Sequence, residues 1–100
     1  MKLIAEDFEI LFKDYPLYSQ EEAEDPLIVA KLFDPCSAAT WWITEYDPIE
    51  KIAFCWVQGL IEDEFGYISL TEMESIKGPL GIGIEQDLYF QQKRLSEVKK

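Results

Sequence analysis

Histidine is absent from this chain, which removes the commonest general base, the commonest metal ligand and every histidine-dependent catalytic triad. Cysteine is scarce: Cys36 and Cys55 are the only two, and they do not form a Cys-x-x-Cys pair. Two thiols without a histidine cannot build a zinc framework. They read as reduced thiols, with Cys55 in the core, and a disulfide is the alternative. Long apolar runs are missing too. Runs such as Leu27 to Ala30 fall far short of the roughly 20 residues of a membrane-spanning helix. The opening Met1-Lys2-Leu3-Ile4-Ala5-Glu6-Asp7 brings acids too early for a signal peptide, so the expected compartment is the cytoplasm. Basic residues are few, 9 against 20 acidic ones, for a net charge of -11. Direct contact with a nucleic-acid backbone needs clustered Lys and Arg, so it is not expected.

What the chain does have is apolar and aromatic. Its 100 residues are 48% hydrophobic and 14% aromatic, enough for a folded core without metal or disulfide. The length fits one domain over residues 1–100, with a polar, basic tail from about residue 91 that frays or forms a short helix. There is no internal repeat or low-complexity tract. The acids are uneven: residues 1–50 hold 12 acids against 3 bases, and residues 51–100 hold 8 against 6.

Ile4, Phe8, Leu11 and Phe12 recur at helical spacing and predict an amphipathic helix over about 5–14, with acids in its first turn and Pro16 beyond its end. Ser19 to Pro26 is an acidic loop. Leu27 to Phe33 reads as a strand, ended by Asp34-Pro35. Thr40 to Tyr46 reads as a second strand, with Trp41, Ile43 and Glu45 on one face and Trp42, Thr44 and Tyr46 on the other. Asp47-Pro48-Ile49-Glu50 is a turn, and Lys51 to Leu60 is a third strand. Ile52, Phe54 and Trp56 share one of its faces, Ala53, Cys55 and Val57 the other. The second and third strands pair as an antiparallel hairpin. Tyr67 to Leu70 is a short fourth strand. Thr71 and Glu74 have capping-box spacing for a helix of about 72–77, which Gly78-Pro79 ends. Residues 84–90 read as strand or extended coil, and the expected fold is α+β. An antiparallel sheet of three or four strands carries the N-terminal helix and the short helix of the C-terminal half. One sheet face covers the core; the other is covered by the chain's ends or left as an aromatic patch.

The run Phe65-Gly66-Tyr67-Ile68-Ser69-Leu70-Thr71-Glu72-Met73-Glu74-Ser75-Ile76 continues as Lys77-Gly78-Pro79-Leu80-Gly81-Ile82-Gly83-Ile84-Glu85-Gln86-Asp87-Leu88-Tyr89-Phe90. It resembles the pattern LGYFSLSELESVRGPLGLPIERDLYF of a bacterial family, domain of unknown function 2958. Upstream, Pro16-Leu17-Tyr18-Ser19-Gln20-Glu21, Lys31-Leu32-Phe33-Asp34-Pro35 and Trp41-Trp42-Ile43-Thr44-Glu45-Tyr46-Asp47 are similar to further stretches of that family. The resemblance implies a small protein or module of plasmids, conjugative elements and phages, often encoded near DNA-transfer and anti-restriction genes. It implies no catalytic residue. Gln86 stands where the family usually has Arg and Gly83 where it usually has Pro; if that Arg holds an anion or pairs with Asp87 in the family, the contact is weakened here.

Four groups of residues are candidates for function. Gly78-Pro79-Leu80-Gly81-Ile82-Gly83 lacks the third glycine and following helix of a dinucleotide site, and no Lys-Ser/Thr follows; it reads as a structural turn. The carboxylates Asp34, Glu45, Asp47, Glu62, Asp63, Glu64, Glu85 and Asp87 show no spacing that selects a catalytic pair or a Ca²⁺ loop, and they read as surface charge. The aromatics Trp41, Trp42, Tyr46, Trp56, Tyr67, Tyr89 and Phe90 divide between core and a binding face, with Trp42, Thr44 and Tyr46 as the exposed trio. The acidic field of Glu21, Glu22, Glu24, Asp25, Asp47, Glu50, Glu62, Asp63 and Glu64 is a solvated face or a partner-binding surface, which in its sharpest form mimics DNA.

The expected function is therefore that of a non-enzymatic interaction protein with no cofactor and no metal. Glu21, Glu22, Glu24, Asp25, Trp42, Tyr46, Glu62, Asp63 and Glu64 would meet a basic protein, such as a host DNA-processing enzyme in a counter-defence setting. The alternative is a small-molecule or peptide-binding module using the aromatic face and the Gly78 to Gly83 loop. An enzyme built on carboxylates and a divalent metal is the third reading.

Overall fold

The computed structural model describes residues 5–76, 78 and 81–99. In chain order its elements are α1 (Ala5–Leu11), β1 (Leu27–Ile28), β2 (Ala30–Phe33), β3 (Thr40–Asp47), β4 (Ile52–Gln58), β5 (Glu64–Ser69), α2 (Leu70–Ser75), β6 (Glu85–Gln86), β7 (Lys93–Arg94) and α3 (Leu95–Val98). Five strands form one antiparallel sheet in the order β5-β4-β3-β2-β6, and β1 pairs with β7 in a separate ribbon. The architecture is α+β as expected, with more strands than the three or four read from the sequence. The stretch read as one strand from Leu27 to Phe33 is two, broken at Val29, whose N–H donates to Ile43 O at 2.8 Å.

The β3–β4 hairpin forms as predicted. Its turn is set by Asp47, whose Oδ1 accepts from Ile49 N at 3.1 Å, and ends at Lys51 with φ of 57°. Pairing runs in step from Thr40↔Gln58 to Ile43↔Cys55; then Glu45, not Thr44, stands opposite Phe54. Thr44 is thus the extra residue of a β-bulge, and its Oγ1 donates to Phe54 O at 3.3 Å. Side chains alternate with period two, so one inserted residue moves every later side chain to the opposite face. Glu45 joins the face of Trp42, Phe54 and Trp56, while Tyr46 joins that of Ile43 and Ala53.

The bulge overturns the exposed trio. Tyr46 and Thr44 are each 1% exposed. Tyr46 lies among the rings of α1, 5.4 Å edge-on from Phe8 and 5.8 Å from Phe12. Trp42 is half-buried rather than free: Phe90 packs at 5.8 Å, and its Nε1 donates to Gln58 Oε1 at 2.8 Å. Trp41 and Ile43 are in the core, as expected.

The core lies between this sheet face and the helices. Phe8 and Phe12 of the α1 region meet Ala30, Leu32, Trp41, Ile43, Tyr46, Ala53 and Cys55 of the sheet, and Leu70 and Met73 of α2 complete the cluster. Each fully buried ring or aliphatic side chain contributes about 1.5–3 kcal/mol by leaving water. Helix α1 is shorter than the predicted 5–14, and Leu11 is exposed rather than buried; Ile4 lies outside the described residues. Helix α2 begins earlier than predicted. Its cap is Ser69, whose Oγ accepts from Glu72 N at 3.3 Å, and Thr71 is already inside the helix. The same S/T-x-x-E spacing occurs in both frames, and the end of β5 at Ser69 selects the first. Of the glycine-rich loop, Gly78 N donates to Ile82 O at 2.7 Å and Gly81 adopts φ of 75°, which marks a turn; Lys77, Pro79 and Leu80 lie outside the described residues.

Candidate functional site

The second sheet face carries the chemistry. Cross-strand pairing places Lys31, Trp42, Trp56 and Phe65 in one row, and Glu45, Phe54 and Tyr67 in the next. The rings touch: Phe54 stacks on Phe65 with centroids 5.4 Å apart, Phe54 meets Tyr67 at 4.9 Å, and Trp56 meets Phe65 edge-on at 4.8 Å. Such pairs add about 0.5–1.5 kcal/mol each beyond the area they bury.

Two segments rise around this floor. The first is the loop of residues 16–26, which Glu45 organises. Its Oε1 accepts from Tyr18 N and its Oε2 from Gln20 N, both at 2.8 Å, and the residue is only 4% exposed. A carboxylate buried in a strand is costly unless its oxygens are bonded, and here each takes a backbone donor. The same contact holds Tyr18 at φ of 72°, a left-handed conformation rarely adopted outside glycine. Gln20 completes the attachment. Its Nε2 donates to Leu27 O and Thr44 O at 2.8 Å each, and its Oε1 accepts from Leu27 N at 2.7 Å. The second segment is the tail. Asp25 Oδ1 accepts from Ser96 N at 2.8 Å and Oδ2 from Ser96 Oγ at 2.7 Å, and Leu95 N donates to Pro26 O at 2.9 Å. The Ser96 hydroxyl and amide, with Arg94 nearby, hold the Asp25 carboxyl below its ordinary value. The tail therefore forms short elements, β7 and α3, rather than fraying.

Between loop, floor and tail lies a groove of about 810 Å³. Phe54, Phe65 and Tyr67 form its floor; Glu21, Glu24, Asp25 and Glu45 supply negative charge, and Lys99 is its one basic lining residue among those described. Lys99 Nζ stands 4.1 Å from the Trp56 ring centre and 5.3 Å from that of Phe65, so an ammonium already rests on the aromatic row. Partial burial raises the Tyr67 phenol above its ordinary value, helped by Tyr18 and the carboxylates Glu45 and Glu21.

The predicted site residues are only partly brought together. Glu21, Glu24 and Asp25 line the groove, and Glu22 is exposed outside its lining. Glu62 and Asp63 in the β4–β5 turn and Glu64 at the start of β5 are exposed and outside the groove lining; Asp63 Oδ1 accepts from Gly59 N at 3.2 Å. Trp42 and Tyr46 do not line it. Of the other groove residues, Phe54, Phe65 and Lys99 were missed as a site, Glu45 reads in the sequence as surface charge, and Tyr67 is among the aromatics divided between core and binding face. A charged residue inside the apolar strand around Trp42 and Tyr46 was the available signal for Glu45.

Cys55 is buried and its thiol is pushed up to about 12 by burial, whereas Cys36 is exposed; both are free thiols. Among the described residues, no group of three or more carboxylates or thiols is placed to hold a metal ion. No helix among the described residues is long and apolar enough to cross a membrane.

No curated protein and no solved structure matched the chain. A family model described as "Protein of unknown function (DUF2958)" matches residues 3–99, in agreement with the resemblance read from residues 65–90, and the chain belongs to that family.

Proposed function

We propose that this protein is a non-enzymatic binding protein whose groove receives a cationic group of a protein partner. The row Glu45–Phe54–Tyr67 carries the reading, because it sets a carboxylate beside two ring faces at the floor of a groove rimmed by Glu21 and Glu24. Ring faces and carboxylates attract an ammonium or guanidinium and repel an anion. Lys99, resting on the adjacent row, supports this reading as an ammonium already seated on the aromatic face. The wider field supports the same partner. The net charge is -11, with 20 acidic residues against 9 basic ones. A surface with this excess of acidic charge steers a basic partner towards it. The family resemblance adds a setting on mobile genetic elements, in which that partner is a basic DNA-processing protein in the cytoplasm.

The test is a titration with N-acetyl-lysine amide, N-acetyl-arginine amide and N-acetyl-glutamate amide, followed by amide and indole NMR shifts. The two cations should move signals of Phe54, Tyr67 and Trp56, less so at high salt, and Tyr67→Ala should abolish the response. Equal response to the glutamate amide, or none to any of the three, overturns the proposal.

A further inference from the structure

The groove floor ends on β5, an edge strand of the sheet, whose outer side has no neighbouring strand among the described residues. Leu70 N donates to Lys51 O at 2.8 Å, in step with the β4–β5 ladder that pairs Ile52 with Ser69. Antiparallel strands alternate between residues that face the partner strand with their N–H and C=O and residues that face away. Counting back from Leu70, Ile68 and Gly66 turn their backbone groups to β4, while Phe65 and Tyr67 turn theirs outward. Among the described residues, neither Phe65 nor Tyr67 makes an outward backbone hydrogen bond.

Proteins usually blunt such edges with lysine, proline or a bulge. Strand β5 has none of these. Its six residues, Glu64 to Ser69, pair regularly with β4, contain no basic residue and no proline, and carry two exposed rings. The residues with outward backbone groups, Phe65 and Tyr67, are also the two that place rings in the groove. A strand laid on this edge would direct every second side chain to the groove side.

We propose that the partner segment is an extended, basic peptide that adds to β5 as a sixth strand. Its backbone pairs with Phe65 and Tyr67, and its alternate lysine or arginine side chains lie over the aromatic floor towards Glu21 and Glu45. This rests on the cation-binding reading above and names the form in which the cation arrives. Charge selects this occupant over a second copy of the chain: the edge begins at Glu62, Asp63 and Glu64, and each copy carries -11, so two edges repel while a basic strand is attracted.

The probes are a short peptide alternating lysine and valine, its counterpart with alternate backbone amides N-methylated, one alternating glutamate and valine, and N-acetyl-lysine amide. The lysine–valine peptide should bind the intact protein and slow hydrogen exchange at the Phe65 and Tyr67 amides. N-methylation keeps every charge but removes the pairing, and should weaken binding at least tenfold. Equal affinity of the methylated peptide, or unchanged exchange at Phe65 and Tyr67, overturns the added strand. If N-acetyl-lysine amide still shifts the groove signals in that case, the cation-binding reading survives alone. If it does not, both fall. Protection of the two amides in the free protein at dimeric mass overturns the peptide in favour of self-association.

Discussion

Glu45 stands opposite Phe54 because Thr44 is one residue too many for the β3–β4 ladder. The inserted residue places a carboxylate on the aromatic face and sends Tyr46 into the core. Groove and core are thus set by the same irregularity.

Substituting Glu45→Gln should loosen the loop of residues 16–26. The amide offers one acceptor oxygen where two N–H groups, those of Tyr18 and Gln20, now find partners. The expected cost is about 1–3 kcal/mol for the donor left unsatisfied. Faster hydrogen exchange at Tyr18 and Gln20 should accompany a lower melting temperature. Unaltered exchange at both amides would show that the loop is held by Gln20 alone.

Tyr46 buries a hydroxyl that has no hydrogen-bond partner among the described residues. Tyr46→Phe should therefore leave stability unchanged or raise it by about 1 kcal/mol, since an unpaired polar atom is removed with the ring kept. Tyr46→Ala should cost about 3–5 kcal/mol by emptying the site between Phe8 and Phe12. Urea unfolding compares the two, and a destabilised phenylalanine variant would mean that the hydroxyl has a partner in solution.

Alkaline pH should weaken the fold. Burial lifts Cys55 from 9.0 to about 12, and burial with nearby Glu9, Glu74 and Asp47 lifts Tyr46 from 10.0 to about 12. Both groups hold their protons more tightly folded than unfolded, so their contribution is fully present below the unfolded values. It is lost as pH climbs from about 9 towards about 12. Denaturant midpoints measured across that window should fall, and less steeply in Cys55→Ala. An identical slope in that variant would assign the loss to other groups.

Ser69→Ala should cost about 1 kcal/mol by removing the cap of α2, while Thr71→Ala should cost less. Thermal unfolding separates the two frames of the capping pattern. A larger effect at Thr71 would move the start of the helix.

Much of the fold was legible in residue order. The alternation of Ala53, Phe54, Cys55 and Trp56 gave the two faces of β4, and Asp47-Pro48 placed the hairpin turn. The bulge was not legible, because nothing local distinguishes Thr44 from a residue in step; only the packing of Tyr46 against Phe8 and Phe12 decides it. Strand β6 was legible only in part, since residues 84–90 read equally as strand or extended coil. Glu85 and Gln86 have no strand pattern of their own and are extended by pairing with Phe33 and Leu32. The acids were visible, but their grouping was not. Glu21 and Glu24 reach the groove because Glu45 gathers the loop above the sheet, and no such anchor draws in Glu62, Asp63 or Glu64.

The clasp between Asp25 and Ser96 joins residues 71 positions apart in the chain. The β3–β4–β5 meander needs only neighbouring strands and can form early, whereas this clasp must wait until nearly the whole chain has collapsed. Assembly of the groove is then a late event in folding, and its wall is the first part to open under stress. A mildly destabilised molecule would retain its aromatic core with α1 and α2 while losing α3 and the enclosure around Phe54 and Tyr67, so recognition would fail at temperatures where the fold still persists.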